Sequence, residues 1–156
     1  MLRLARLADY GLLIASSLAD PGGELVKLDQ VAEQTNLAIP TVRKVMKQLV
    51  DGGVVRSERG VKGGYCLAFP AHHISLAKVI RSLEGGVALT DCCDEDRLCD
   101  VMQACTVHAN WSVINQTVNE IFERLTLHDM KRRLSKLDVI KKVRVDSDVM
   151  AVVMEG

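Results

Sequence analysis

Aromatic side chains are scarce in this chain, with one Trp, two Tyr and two Phe among 156 residues. The core must come from the aliphatic residues that make up most of the 48% hydrophobic content, chiefly Leu, Val, Ile and Ala, and this points to helices. Long apolar runs are missing as well. None approaches the ~20 residues a membrane-spanning helix needs. The opening MLRLARLADYGLL does not read as a secretory leader, because Asp9 and Tyr10 interrupt any hydrophobic stretch. The expectation is a cytoplasmic protein with no membrane partner. Net charge is absent too: Lys plus Arg equal Asp plus Glu, so overall charge does not announce nucleic acid. Enzyme signatures are lacking, with no P-loop, no dinucleotide fingerprint and no nucleophile–base pair. His72 and His73 stand in a loop and read as solvated, so an enzyme is not expected. There is no internal repeat, and the length suits about one domain.

Cysteine is present in an unusual place. Four of the five cysteines fall in the seventeen residues CCDEDRLCDVMQACTVH, from Cys92 to His108. Cys93, Cys99 and Cys105 are evenly spread with five residues between neighbours, and His108 follows after two more. The close C-x-x-C pairs usual for zinc are missing here. Thiolates are soft ligands for zinc, copper(I) or iron–sulfur clusters, and imidazole can join them. Evenly spread thiols suit a loop wrapped around a larger object, such as an iron–sulfur cluster. An odd count of cysteines in a reducing compartment argues against structural disulfides. Cys66 lies apart and reads as a small packing residue on a strand.

The balanced charge hides an uneven distribution. Residues 38–65 carry six basic side chains against two acidic ones, and residues 91–105 carry five acidic against one basic. The basic stretch coincides with a recognisable pattern. A helix over Leu2–Ala19, with Leu4, Leu7, Ala8, Leu12, Ile14 and Leu18 on its apolar side, ends at Asp20-Pro21-Gly22-Gly23. A second helix covers Lys27–Thr35 and a third opens at Ile39-Pro40 after a tight connection at Asn36 and Leu37. The third has an apolar stripe at Val42, Val45, Met46, Leu49 and Val50, and Gly52-Gly53 caps it. Opposite that stripe lie Pro40, Thr41, Arg43, Lys44 and Lys47, which gives a helix-turn-helix with a basic reading face. Strands over Val54–Glu58 and Tyr65–Phe69 flank the turn Arg59-Gly60-Val61-Lys62-Gly63-Gly64. A helix-turn-helix followed by such a hairpin is a winged helix, and Arg59 or Lys62 at the tip could enter a minor groove.

A fourth helix is expected over Leu76–Glu84 with Ser75 as its N-cap and Gly85-Gly86 closing it. A long helix runs from Val107 to about Leu125, with Trp111, Ile114, Val118, Ile121, Phe122 and Leu125 forming a heptad-like seam. Such a seam calls for a partner, and a two-fold dimer suits a helix-turn-helix protein. Thr126 and Asp129 have capping-box spacing for one more short helix.

The wing sequence RGVKGGY, the opening LADYG, the three evenly spaced cysteines and the long helix together resemble the IscR/NsrR-like winged-helix family of iron–sulfur cluster transcriptional regulators, over about residues 1–133. Within it the chain is most similar to the regulators of the SUF cluster-assembly system. The resemblance implies a cluster on Cys93, Cys99 and Cys105. The fourth ligand would be His108, which suits a 2Fe–2S cluster, or Asp9 from a partner's first helix, which suits 4Fe–4S; the 2Fe–2S form is favoured. Cys92 is an alternative to Cys93. The recognition helix departs from the best-known members by carrying Pro40, Arg43 and Lys44, so its target sequence is expected to differ.

The expected architecture is therefore mainly α: a winged helix-turn-helix with a two-stranded wing over 1–85, a cluster-binding loop over 86–106, a dimerisation helix over 107–133 and a C-terminal tail over 134–156 with disorder. The expected function is a homodimeric repressor of iron–sulfur cluster assembly genes, joined through the 107–130 helix, which binds an operator in double-stranded DNA. A nitric oxide or redox sensor of the same family is the alternative. An iron–sulfur or zinc electron carrier that does not bind DNA is the alternative of another class.

Overall fold

The computed structural model describes residues 6–19, 23–94, 99–101 and 104–143. Helix α1 (Arg6–Leu18) buries Ala8, Gly11, Ile14, Ala15 and Leu18, at the spacing of one helical face. The apolar side expected through Leu7 and Leu12 is rotated, because those two residues are half-buried and pack at the rim of the core. Small residues take the centre so that α4 (Leu76–Glu84) can lie close. A Cβ on Gly11 would stand 2.1 Å from the Leu83 side chain. Leu4 lies outside the described residues.

Helices α2 (Leu28–Thr35) and α3 (Ile39–Asp51) are joined through Asn36, which adopts the left-handed conformation at φ 54° that Asn tolerates better than most residues. Its N–H and that of Leu37 donate to the carbonyls of Glu33 and Ala32 and close the end of α2. Val42, Val45, Met46 and Leu49 of α3 are buried. Pro40 sits in the first turn, where its missing N–H costs nothing. At the far end the left-handed residue is Gly53, and the Val54 N–H donates back to the Leu49 carbonyl at 2.9 Å.

Strands β1 (Val55–Glu58) and β2 (Gly64–Leu67) pair antiparallel, with Val55 opposite Leu67 and Glu58 opposite Gly64. Both are shorter than the sequence pattern suggests, although Ala68 N–H still reaches the Val54 carbonyl. A third piece of chain joins them. Val26 and Tyr65 exchange both backbone hydrogen bonds at 2.8 Å, tying the root of the wing to the chain entering α2. That pairing requires Gly64, since a Cβ there would meet the Val26 carbonyl oxygen at 2.8 Å.

Helix α4 begins as expected, with Ser75 Oγ accepting from the Lys78 N–H, and ends at Gly85 in the left-handed region. The long helix α5 (His108–Arg124) contains no fully buried residue. Its expected seam divides. Ile121 and Phe122 pack on the domain core and Leu125 is buried, whereas Trp111 and Val118 are half-buried and Ile114 is exposed. The junction below α5 is bonded to the start of α4: the Leu76 N–H donates to Leu125 and the Leu127 N–H to Ile74. Helix α6 (Leu127–Met130) carries the expected capping box of Thr126 and Asp129.

A further helix, α7, spans 136–143, within the stretch where the sequence suggested a disordered tail. Ser135 and Asp138 cap it reciprocally: the Ser135 N–H donates to the Asp138 carboxylate at 2.9 Å, and the Asp138 N–H to Ser135 Oγ at 3.2 Å. Leu134 and Val139 pack against the core. Residues 144–156 lie outside the described residues.

Candidate nucleic-acid interface and metal centre

Because the stripe of α3 turns inward, Pro40, Arg43, Lys44 and Lys47 are exposed, and Thr41 is half-buried beside them. Cations on this face are free to approach phosphates, and the N-terminal part of such a helix is where base edges are read. Ile39, read from the sequence only as a helix start, is also exposed at 42%. The wing carries Arg59, Lys62 and, between them, Val61 in full solvent. Below the tip, Arg56 Nε–H donates to the buried sulfur of Cys66 at 2.8 Å, and this bond raises the affinity of the Arg56 guanidinium for its proton above the ordinary value. Cys66 is fully buried, so its packing role stands and it takes no part in the cysteine cluster.

The cysteine segment leaves α4 at Gly85 and is fastened to α5 before the first thiol. The Leu89 N–H donates to Asn115 Oδ1 at 3.0 Å, and Asn119 Nδ2 donates to the Val87 carbonyl at 3.0 Å. Nothing in the sequence spacing marks these two asparagines, because their partners are loop backbone groups far away in the chain. A single 3₁₀ turn over Asp91–Cys93 then presents Cys92 and Cys93. The Thr90 hydroxyl lies 3.1 Å from Cys92 Sγ and 3.3 Å from Cys93 Sγ. Cys93 also lines a 420 Å³ cleft with Glu84, Asp94, Asn115 and Asn119.

The remaining candidates lie further along. Cys99 and Cys105 are half-buried, and the His108 N–H donates to the Cys105 carbonyl at 3.4 Å, so this pair sits one turn apart at the start of α5. All four thiols of the segment are unpaired and none is fully buried. Among the described residues no three His, Cys, Asp or Glu side chains converge on one point. The segment thus offers the soft donors that suit an iron–sulfur cluster or zinc, without drawing them together. Glu95 and Asp96, part of the acidic run, lie outside the described residues. Asp9 is exposed on α1, next to Ala8, whose N–H donates to Glu84 at the rim of the same cleft.

The Rrf2 family model, described as an iron-dependent transcriptional regulator, matches residues 4–133. The chain is 28% identical over 123 residues to the helix-turn-helix transcriptional regulator IscR of Xenorhabdus nematophila, covering 79% of this chain and 73% of that one. It is 26% identical over 135 residues to the rrf2 protein of Nitratidesulfovibrio vulgaris, covering 86% and 90%. Among solved structures, CymR, the global cysteine regulator of B. subtilis, superposes with a TM-score of 0.64 at 29% identity, covering 83% of this chain and 96% of that one. IscR of T. potens superposes at 0.62 with 27% identity, covering 83% and 86%. These neighbours share the mainly helical winged fold with its two-stranded wing.

Proposed function

This chain belongs to the Rrf2 family of transcriptional regulators, and from that premise we propose that it is a homodimeric repressor of iron–sulfur cluster assembly genes whose DNA affinity follows the state of its cysteine segment. DNA-binding regulation, and not catalysis, is what the family and its structural neighbours do. The observation that carries the finer reading is the placement of four unpaired, half-buried thiols on a loop tied to α5 by Asn115 and Asn119. Cys93, Cys99 and Cys105 would hold the cluster, with His108 or the Asp9 of a second copy as fourth ligand and Cys92 as an alternative to Cys93. A bound cluster supplies a redox-sensitive charge at this loop.

The chain's own residues then relate the loop to DNA. Asn115 and Asn119 pass the shape of residues 87–89 to α5. At the other end Glu123 of α5 accepts from Arg81 and Ser75, so α5 is joined to the helix that packs beneath α1 and α3. The exposed Val107, Val113 and Ile114 supply a surface for the same helix of a second copy. Dimer half-sites lie ~34 Å apart, so a small change between two such helices alters whether both recognition helices fit. Lys47 supplies phosphate affinity, and Thr41, Arg43 and Lys44, toward the N-terminal part of α3 beside Pro40, lie where bases are read.

The test is protein purified without oxygen, its iron and sulfide counted, its absorption spectrum recorded and its binding to duplexes upstream of candidate operons measured. Two iron and two sulfide per chain, lost in Cys93→Ala, Cys99→Ala and Cys105→Ala together with a change in DNA affinity, is the expected result. Four iron per chain would shift the fourth ligand to Asp9. Colourless protein with unchanged DNA binding in every cysteine variant would remove the cluster from the reading. A second reading, a metal-free redox or nitric oxide sensor, is favoured by the Thr90 hydroxyl that contacts both neighbouring sulfurs; it predicts DNA binding that responds to thiol oxidants with no iron present.

A further inference from the structure

We propose that Val61 is a specificity-determining residue of the DNA complex: seated in the minor groove, it accepts A·T and T·A pairs and rejects the exocyclic amino group of guanine. The inference rests on the DNA-binding reading and goes beyond it by assigning a base preference to one side chain.

Val61 is 96% exposed, so it contributes nothing to the packing of its own chain. A single exposed valine is ordinary, but this one stands at the tip of a tight turn beside two exposed cations. It occupies one of the two central positions of a turn closed by the Gly63 N–H on the Gly60 carbonyl at 2.9 Å. The two arms of the turn touch: a Cβ on Gly63 would lie 2.3 Å from the Glu58 carbonyl oxygen. Gly63 keeps that arm of the tip to bare backbone, which lets the tip approach the floor of a groove only about 6 Å wide. A β-branched side chain is stiff at χ1, so little freedom is lost when it is enclosed.

The neighbours of Val61 decide what it can tolerate. Arg59 and Lys62, both exposed, are donors only. The floor of the minor groove at A·T or T·A offers only acceptors, adenine N3 and thymine O2, which match such donors. Guanine adds a donor, its N2 amino group. Against this tip that amino group meets two cations and a branched hydrocarbon, loses its water and finds no acceptor among those three side chains. The cations draw the wing into the groove irrespective of sequence, and the valine fills the space the amino group would need.

The test uses full-length wild type and Val61→Ser, purified without oxygen, with a random duplex library as probe. Ser is shorter and brings an acceptor, and at an exposed tip it leaves the fold intact. The most enriched duplexes are then resynthesised with 2,6-diaminopurine for adenine, which adds the amino group to A·T, and with inosine for guanine, which removes it from G·C. Wild type is expected to enrich a position occupied by A·T or T·A indifferently, to lose roughly tenfold in affinity when the amino group is added there, and to accept inosine there. Val61→Ser is expected to lose that penalty and to keep its preferences elsewhere. A wild type without such a position, or a penalty that persists in Val61→Ser, overturns the proposal. Failure of wild type to enrich any duplex overturns the DNA-binding reading itself, and this inference with it.

Discussion

The carboxylate of Asp129, 3% exposed, accepts from the ammonium of Lys142, thirteen residues further along the chain. Arg124 completes the clasp by donating to the backbone carbonyls of Lys142 and Val143. These contacts hold α7, which lies past the end of the family match at residue 133, against the base of α5. Burial by itself would push the Asp129 carboxyl up, but the bonds from Lys142 and Thr126 outweigh it and hold it down to about 2. The ordinary value is ~3.9. This is a depressed acid, so its stabilisation is present in full above the ordinary value and is lost as pH falls from ~4 through 2. Asp129→Asn is expected to cost roughly 1–2 kcal/mol at pH 7 and to flatten the acid limb of stability between ~4 and 2. Urea unfolding at pH 7 and at pH 3 reads both effects, and an Asn variant that keeps the wild-type acid limb would contradict the assignment.

Gly64→Ala is expected to loosen the wing. The added Cβ would meet a backbone oxygen, that of Val26, at 2.8 Å, and backbone moves less readily than a side-chain end. The cost is about 1–3 kcal/mol by the measure of an overpacked site. Amide exchange at Val26 and Tyr65, whose N–H groups are paired in the parent, should speed up, with weaker DNA binding alongside. Unchanged protection at both amides would mean that the wing root tolerates the methyl.

Phosphate and base contacts separate by salt. Lys47→Ala is expected to weaken binding evenly across sequences and to reduce the slope of log affinity against log salt by about one. Arg43→Ala, nearer the reading end of α3, should also relax the preference at one base position, at a cost of about 1–3 kcal/mol. Titrations of a selected duplex and a scrambled one at several salt concentrations distinguish the two.

Cysteine variants should sort by location. Cys66→Ala is expected to leave the iron content unchanged, because the sulfur is buried and bonded to Arg56 on the wing, and to lower stability through the cavity and the lost bond. Cys99→Ala is expected to lower the iron content while leaving unfolding by urea nearly unaltered, since its side chain is only half-buried. Iron loss in the Cys66 variant would sink this division.

Ile114→Glu is expected to shift the protein from dimer to monomer. Ile114 is 47% exposed and Val113 64%, on a helix with no fully buried residue; a charge there costs the single chain little and a packed pair of helices much. Light scattering after size exclusion measures the mass, and a variant that remains dimeric would place the interface elsewhere.

Local order was legible in the sequence wherever the signal itself is local. Ser75, Asn36 and the Thr126–Asp129 box stand where capping chemistry requires them, and the stripe of α3 follows from a period of 3.6 residues. The same reasoning could have found α7, because Ser135 and Asp138 repeat the spacing of Thr126 and Asp129. The basic tail composition concealed it.

What only the tertiary structure decided are relations between distant segments. Which face of α1 turns inward depends on Gly11 admitting Leu83, and a glycine leaves no mark in a hydrophobic pattern. The third pairing of the wing depends on Val26, an isolated bridge too short to show a strand period. The division of the α5 seam depends on which part of the helix lies against the domain core, so identical apolar spacing yields packed Ile121 and exposed Ile114. Sequence determined which residue types are available to DNA and to a metal. Packing decided which of them face outward, because side chains separated in the chain meet only after the core between them has formed.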